Sequence, residues 1–318
     1  MLKPIDDMKR VLDLFTRCNP RCKVLSIWSI LFALILASVT LFYRAEKEKA
    51  FLHLKNDVKD ISEIKIKQFV DWHNDRLADL RMFSESPFLT SAISSWVDKQ
   101  SDNNLKQNIE KRLDLINTTK SYTNIIITSL EGKILINLGE VIDSLDSSTL
   151  RFVEKIANGD NFFFTNFYPC NTHKTLHIDY LAPIKNESNQ ITSVIIFRIN
   201  PYQSIYPILE EWHTQIETAQ NFIFRADADT VIFLNSIWEK PFLDFSIEGQ
   251  DGITSLKNGL FGFNKAMNKQ SKELFIYASS IEGTSWFFVK VIDYDEVYEY
   301  LSLGLISIIL LTILLVTF

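Results

Sequence analysis

The sequence predicts an α+β fold: one long N-terminal helix, then two tandem α/β units with antiparallel sheets, flanked by two transmembrane helices. Three observations carry this. The stretches Val24–Tyr43 and Leu301–Phe318 hold no charged residue, and each is long enough to cross a hydrocarbon core of about 30 Å as a helix. Residues 44–83 contain neither Gly nor Pro. A hairpin pattern and a closing-strand pattern then occur twice, in the same order, between residues 121 and 299.

Composition and charge set the class. A 318-residue chain that is 47% hydrophobic and 13% aromatic is not disordered. Its mean hydropathy of +0.03 is high for a soluble protein, and the two apolar stretches are the cause. Residues 1–23 hold Lys3, Lys9, Arg10, Arg17, Arg21 and Lys23 against Asp6, Asp7 and Asp13, a net +3, which leaves residues 44–299 at −9. A short basic tail beside the first span places that tail in the cytoplasm. Residues 44–299 then lie outside, and the second span returns. A cleaved signal peptide fits poorly, because the apolar stretch is long and no A-x-A-like site follows it. The acidic ectodomain argues against nucleic acid as a partner. Cys18 and Cys22 fall on the cytoplasmic side and Cys170 outside, so the ectodomain has no internal disulfide framework and must bury its own core.

The elements follow in order. After the tail (1–23) and the first span (24–43), residues 44–120 read as a long helix with a helical segment behind it. Phe51, Leu54, Val58 and Ile61 sit at helical spacing. Ile66, Phe69, Val70, Leu77, Leu80 and Phe83 continue it after a slip near Lys65. At 1.5 Å per residue this is about 60 Å of helix, ended by Pro87. Shorter helices are expected at 88–99 and 103–119. The first α/β unit, 121–201, has strands at 122–128 and 133–137 around the turn Glu131-Gly132. A helix capped by Ser147 or Ser148 then runs to Asn158-Gly159. Strands at 161–168, 174–183 and 191–199 complete the unit, the last two joined by the polar turn Asn186–Asn189. A linker helix spans 202–217. The second unit is 218–299, and the second membrane span is 300–318.

The second unit repeats the first. Asn124–Asn137 aligns with Asn221–Asn235, and Thr192–Asn200 with Thr284–Asp293, each with one inserted residue. Two copies of one unit, rather than a solenoid of short repeats, are expected. Asp293-x-x-Glu296 then begins an exit helix with acid at its positive end.

No catalytic pattern is present: the chain has no P-loop, G-x-G-x-x-G, G-x-S-x-G or H-E-x-x-H. No enzymatic activity, cofactor or metal is expected of it. Cys170, His173 and His177 have the spacing C-x₂-H-x₃-H, but on a strand the two histidines stand roughly 13 Å apart, too far to share an ion. His177 and Asp179 share one strand face and Ile178 and Tyr180 the other. That face is read either as polar anchors in a ligand cavity, walled by Phe164 and Tyr168, or as a solvated surface. Arg198 alternates with Phe197 and Ile199 and reaches either the same pocket or water. Trp72, Asp75, Arg76 and Asp79 lie on one helix face and read as a packing seam with surface ion pairs.

Several stretches resemble the double Cache (tandem PAS-like) sensor regions of bacterial two-pass receptors. Asp71–Asp79 resembles the W-x-x-(E/D)-R-L stretch of the long helix. Leu176–Pro183 resembles the strand leading to the turn of the membrane-distal unit, and Ile199-Asn200-Pro201 with Ile205-Tyr206-Pro207 resembles that unit's exit. Thr218–Asn235 and Gly283–Lys290 resemble the opening hairpin and last strand of the membrane-proximal unit. The chain departs from the family in having Ala228 where Gly is usual, and Phe164–Tyr168 in place of the Arg-x-Trp-Tyr pattern of amino-acid binders. The resemblance implies a small-molecule ligand in the distal unit, among Tyr122, Phe164, Tyr168, His177 and Asp179. It also implies an inner-membrane homodimer whose output, a histidine kinase in the favoured reading, lies beyond this chain. A diguanylate cyclase or chemoreceptor output, or a membrane-anchored binding or scaffold protein without output, is the alternative.

Overall fold

The computed structural model of the protein describes residues 20–99, 102–170, 175–210, 217–226, 231–234, 245–247, 250–259, 261–268 and 271–296. Residues Val58–Tyr294 form one compact unit, and residues up to Asp57 with those from Asp295 form another.

Helix α1, Pro20–Ser84, is continuous. It contains the one stretch among the described residues that is long and apolar enough to cross a membrane, and none of that stretch is buried. The second predicted span lies outside the described residues. The slip expected near Lys65 is not a break in the helix. Buried positions run Val58, Ser62, Lys65, Phe69, His73 and Leu80, a regular helical spacing in which three polar residues take apolar slots. Helices α2, Pro87–Lys99, and α3, Asn103–Lys120, follow as predicted. Asp102 caps α3 by accepting from the Leu105 N–H, 3.0 Å.

The first sheet comprises β1 Asn124–Thr128, β2 Ile134–Gly139, β3 Phe163–Phe164, β4 Tyr168–Pro169, β5 Leu176–Lys185 and β6 Ile191–Ile199. Its order is β2-β1-β6-β5-β3, with β4 also pairing β5, and every pairing is antiparallel. Helix α4, Ser147–Ala157, covers one face. Its N-cap position is Asp146, and neither Ser147 nor Ser148 caps it; both lie within the first turn. The single strand expected over 161–168 is split between β3 and β4. The intervening Thr165–Phe167 turns toward the second sheet, where Asn166 Oδ1 accepts from Trp286 Nε1 and Ser285 Oγ, both 3.0 Å.

Two short helices, α5 Pro201–Ser204 and α6 Tyr206–Glu210, link the sheets. The rest of the expected linker helix lies outside the described residues. The second sheet comprises β7 Gln220–Ala226, β8 Val231–Phe233, β9 Phe245–Ile247, β10 Gln250–Asp251, β11 Gly262–Asn268, β12 Glu273–Ser280 and β13 Trp286–Asp293, with α7 at Gly252–Lys257. Its order is β10-β9-β11-β12-β13-β7-β8. In both sheets the opening hairpin stands at one edge, the last strand pairs with the first, and the preceding strand pairs with the last. The repeat read from sequence is therefore a repeat of topology.

The main core lies between α1 and the near faces of both sheets, joining Phe69 and Leu80 to Ile125, Phe197, Tyr180, Ile223, Trp286 and Phe288. The far faces carry smaller cores. One holds Ile126, Leu181, Val194 and Ile196 with Val153 of α4. The other holds Phe222, Phe224, Ala278 and Val289 with Leu256 of α7.

Candidate ligand-binding site

Strand alternation in β5 sends Ile178, Tyr180 and Ala182 toward α1 and His177, Asp179 and Leu181 toward α4. Asp179 is fully buried, as is Arg198, its direct neighbour on β6. Their pairing is bidentate: Arg198 Nε donates to Asp179 Oδ1 and Nη2 to Oδ2, each at 2.9 Å. Three further groups close the network. Tyr168 donates its hydroxyl to Asp179 Oδ2 at 2.7 Å and accepts from Arg198 Nη2 at 3.0 Å. Thr149, in the first turn of α4, donates to the same Oδ2 and stands 3.0 Å from the Tyr168 hydroxyl. Asp146, at the N-cap position of α4 and partly exposed, lies 3.7 Å from Arg198 Nη2.

The electrostatics follow from this packing. Burial alone would raise the Asp179 carboxyl. The charge of Arg198 and the hydrogen bonds from Arg198, Thr149 and Tyr168 override it and hold the carboxyl below its ordinary value. Burial first, then the Asp179 charge, raises the Tyr168 phenol far above its ordinary range, so it stays neutral. Burial works against the Arg198 charge, and Asp179 more than offsets it, leaving the guanidinium more firmly protonated.

The sheet divides the five sequence-predicted residues. Tyr168, His177 and Asp179 lie on the α4 face. His177 is buried, with its ring 6.3 Å from that of Tyr168 and Nε2 3.3 Å from Thr175 Oγ1. The solvated reading of this face is overturned. Tyr122 and Phe164 lie on the α1 face and do not line the same space. Tyr122 stacks on Phe197 at 4.7 Å and donates to Asp79 Oδ2 at 2.7 Å. Phe164 stacks on Tyr180 at 5.9 Å and meets the His73 ring at 4.6 Å.

Two further readings change. The Trp72–Asp79 seam is real, but its Arg76–Asp79 pair is largely buried rather than at the surface. Asp79 is buried and pairs with Lys120 at 3.1 Å and Arg76 at 3.6 Å. Cys170 is buried as well. His173, the middle member of the weighed metal spacing, lies outside the described residues. Sequence reasoning missed Thr149 and Asp146, although Asp146-Ser-Ser-Thr149 opens a helix, where short polar side chains concentrate. It also missed His73, whose Nδ1 stands 2.8 Å from the Tyr180 hydroxyl.

No family model and no curated protein matches this chain. Solved structures do. The sensory domain of the Campylobacter jejuni chemoreceptor Tlp3 superposes with a TM-score of 0.58 at 14% identity, over 79% of this chain and 98% of that one. The ligand-binding domain of the Pseudomonas aeruginosa amino-acid chemoreceptor PctB, in complex with L-Arg, gives 0.52 at 13%, over 77% and 97%. That of the Pseudomonas fluorescens chemoreceptor CtaA, with L-serine, gives 0.51 at 13%, over 76% and 98%. This chain has the fold of chemoreceptor sensory domains. At such identities the likeness is one of fold: a long N-terminal helix followed by antiparallel sheets. Within that fold, the Asp179–Arg198 network is a buried polar arrangement on the face of the first sheet that a helix, not the long α1, covers.

Proposed function

We propose that residues 44–299 are the extracytoplasmic small-molecule sensor of a two-pass, dimeric inner-membrane receptor, with the ligand held on the α4 face of the first sheet. The observation that carries this is the Asp179–Arg198–Tyr168–Thr149 network, with Asp146 and His177 beside it. Asp179 and Arg198 already satisfy each other, so a small zwitterion such as an amino acid would bind by exchanging its own ammonium and carboxylate into that pair. The solved structures of similar fold include chemoreceptor domains bound to L-Arg and L-serine, which supports that ligand class. No enzymatic step is assigned to this chain.

This reading places signal output in a part of the receptor outside residues 44–299. Sequence reading favoured a histidine kinase; the likeness in fold to chemoreceptor domains supports a chemotaxis signalling rod instead. The reading frame downstream of Phe318 separates the two.

A thermal-shift screen of amino acids and related zwitterions on the full chain in lipid nanodiscs tests the ligand class. A ligand present at 100 times its Kd stabilises by about 2.7 kcal/mol. A panel without any shift would move the search to other chemistry, and a shift that survives Asp146→Asn and His177→Ala unchanged would move the site.

A further inference from the structure

We propose that the cleft between α2 and α3 binds a small organic anion with an apolar body, an aryl or short-chain alkyl carboxylate. The cleft measures about 450 Å³, within the range of small-molecule sites. Helical spacing builds its walls. Phe88 and Ala92 stand one turn apart on α2, and Leu105, Asn108, Ile109 and Arg112 fall at i, i+3, i+4 and i+7 on one face of α3. Leu89 and Ile109 are its buried lining residues, and they belong to the core that also holds Phe69 and Phe197. Phe88, by contrast, is 61% exposed.

The charged part of the lining has one sign. Asn108, Lys111 and Arg112 line the cleft, all three exposed, and no carboxylate does among the described residues. The Arg112 guanidinium carbon stands 4.1 Å from the centroid of the Phe88 ring. A guanidinium held against a ring face keeps its N–H groups for a carboxylate. The neighbouring acid Glu110 is paired instead with Lys106, at 3.7 Å. Among the described residues no acid stands within ion-pair distance of Lys111 or Arg112. Helix α3 is net +2, from Lys106, Lys111, Arg112 and Lys120 against Glu110 and Asp114, on an ectodomain that sums to −9.

Charge and apolar surface select the ligand together. An inorganic anion leaves the apolar walls wet, and an uncharged apolar molecule gains nothing from the two cations. A carboxylate on an aryl or short alkyl body uses both. The body packs between Leu89, Ala92, Leu105 and Ile109, and the oxygens accept from Arg112 and Lys111, with the Asn108 amide as a further donor. A zwitterion fits less well, because the lining offers its ammonium no carboxylate. The Asp179–Arg198 network lies on the other face of the first sheet, beneath α4. The two sites therefore differ in chemistry, and this one stands or falls without the other.

Ligand-observed NMR titration of the full chain in phosphatidylcholine nanodiscs, with empty nanodiscs as the blank, tests this with phenylacetate, phenylacetamide and acetate. Phenylacetate should bind with a Kd of about 1 mM or tighter. Phenylacetamide, which lacks the charge, and acetate, which lacks the ring, should each bind at least roughly tenfold more weakly. Arg112→Gln should weaken phenylacetate by a similar factor, and Ala92→Leu, which fills the cleft, should abolish binding. Should Ala92→Leu fail to fold, Arg112→Gln, at an exposed position, decides alone. No binding of phenylacetate to the wild type, equal affinity for the acid and its amide, or unchanged affinity in Arg112→Gln overturns the proposal. So does a change of oligomeric state in Arg112→Gln, which would make the cleft a contact between subunits.

Discussion

The two sheets share a strand order and differ in where they keep their charge. In the first, the row Asn124–Arg198–Asp179 faces α4. The row that the repeat alignment places opposite it in the second, Asn221–Lys290–Tyr277, faces α1. The α4-like face of the second sheet carries Phe222, Val289 and Ala278 instead. Side chains alternate with a period of two, so an offset of one residue moves a whole row to the other face. The alignment of the repeats is thus right in order and one residue out in facing. One copy keeps its polar row on the face that α4 covers and the other on the seam with the long helix.

Breaking the first row should have the largest effect. Arg198→Ala leaves the Asp179 carboxylate buried without its guanidinium, at a cost of about 3–5 kcal/mol. Thermal unfolding of the full chain checks this, and a loss below about 1 kcal/mol would show that water already reaches the pair. Acid gives the matching sign. The folded carboxyl of Asp179 titrates below its ordinary value, so its stabilisation is present above about pH 4 and is lost as pH falls through the folded pKa. In Arg198→Ala the carboxyl is pushed upward by burial, and mild acid should then restore part of the lost stability. A variant whose pH profile parallels the wild type would show that Arg198 does not set that carboxyl.

How much of this was legible in the sequence depends on what local chemistry decides. The long helix, both hairpins and the exact span of β6 follow from breakers and periodicity. The polar slots at Ser62 and Lys65 read as a slip, because a periodicity of apolar residues cannot register a buried lysine. The Asp179–Arg198 pair hid for a different reason. Counted back from the Asn186–Asn189 turn, the register at Lys185↔Ile191 would set Asp179 opposite Phe197. A bulge between Ile184 and Lys185 shifts it by one and sets it opposite Arg198. The expected pocket spans both faces because Tyr122, read as part of the first strand, precedes β1, and because Phe164 of the two-residue β3 packs on the α1 side.

Sorting those faces is the next test. Tyr122→Phe removes a hydrogen bond to the buried Asp79 carboxylate and should cost about 1.5–3 kcal/mol. Ligand affinity should not change, since Tyr122 is on the α1 face. His177→Ala should do the reverse. It should weaken ligand binding by roughly 5- to 150-fold, about 1–3 kcal/mol, if His177 contacts a polar ligand group. Calorimetric titration of both variants with a ligand found by the zwitterion screen decides it. Weakened binding in Tyr122→Phe with none in His177→Ala would put the site on the α1 face.

The smallest effect is expected where the two sheets touch. Trp286 is buried, its ring 5.3 Å from Phe167 and 6.3 Å from Phe164, and its indole N–H donates to Asn166 Oδ1. Trp286→Phe keeps most of the ring packing and removes that donor. Asn166 is not orphaned, because Ser285 Oγ still donates to the same oxygen. The lost hydrogen bond should cost about 1 kcal/mol, or about 2–4 °C in Tm for a domain of this size, in addition to the cavity that the smaller ring leaves. A double-mutant cycle with Asn166→Ala separates the contact from the cavity left by the smaller ring. A coupling of at least about 0.5 kcal/mol marks the Thr165–Phe167 segment as tied energetically to the second sheet. Simple additivity would mean that the two sheets touch there without sharing stability.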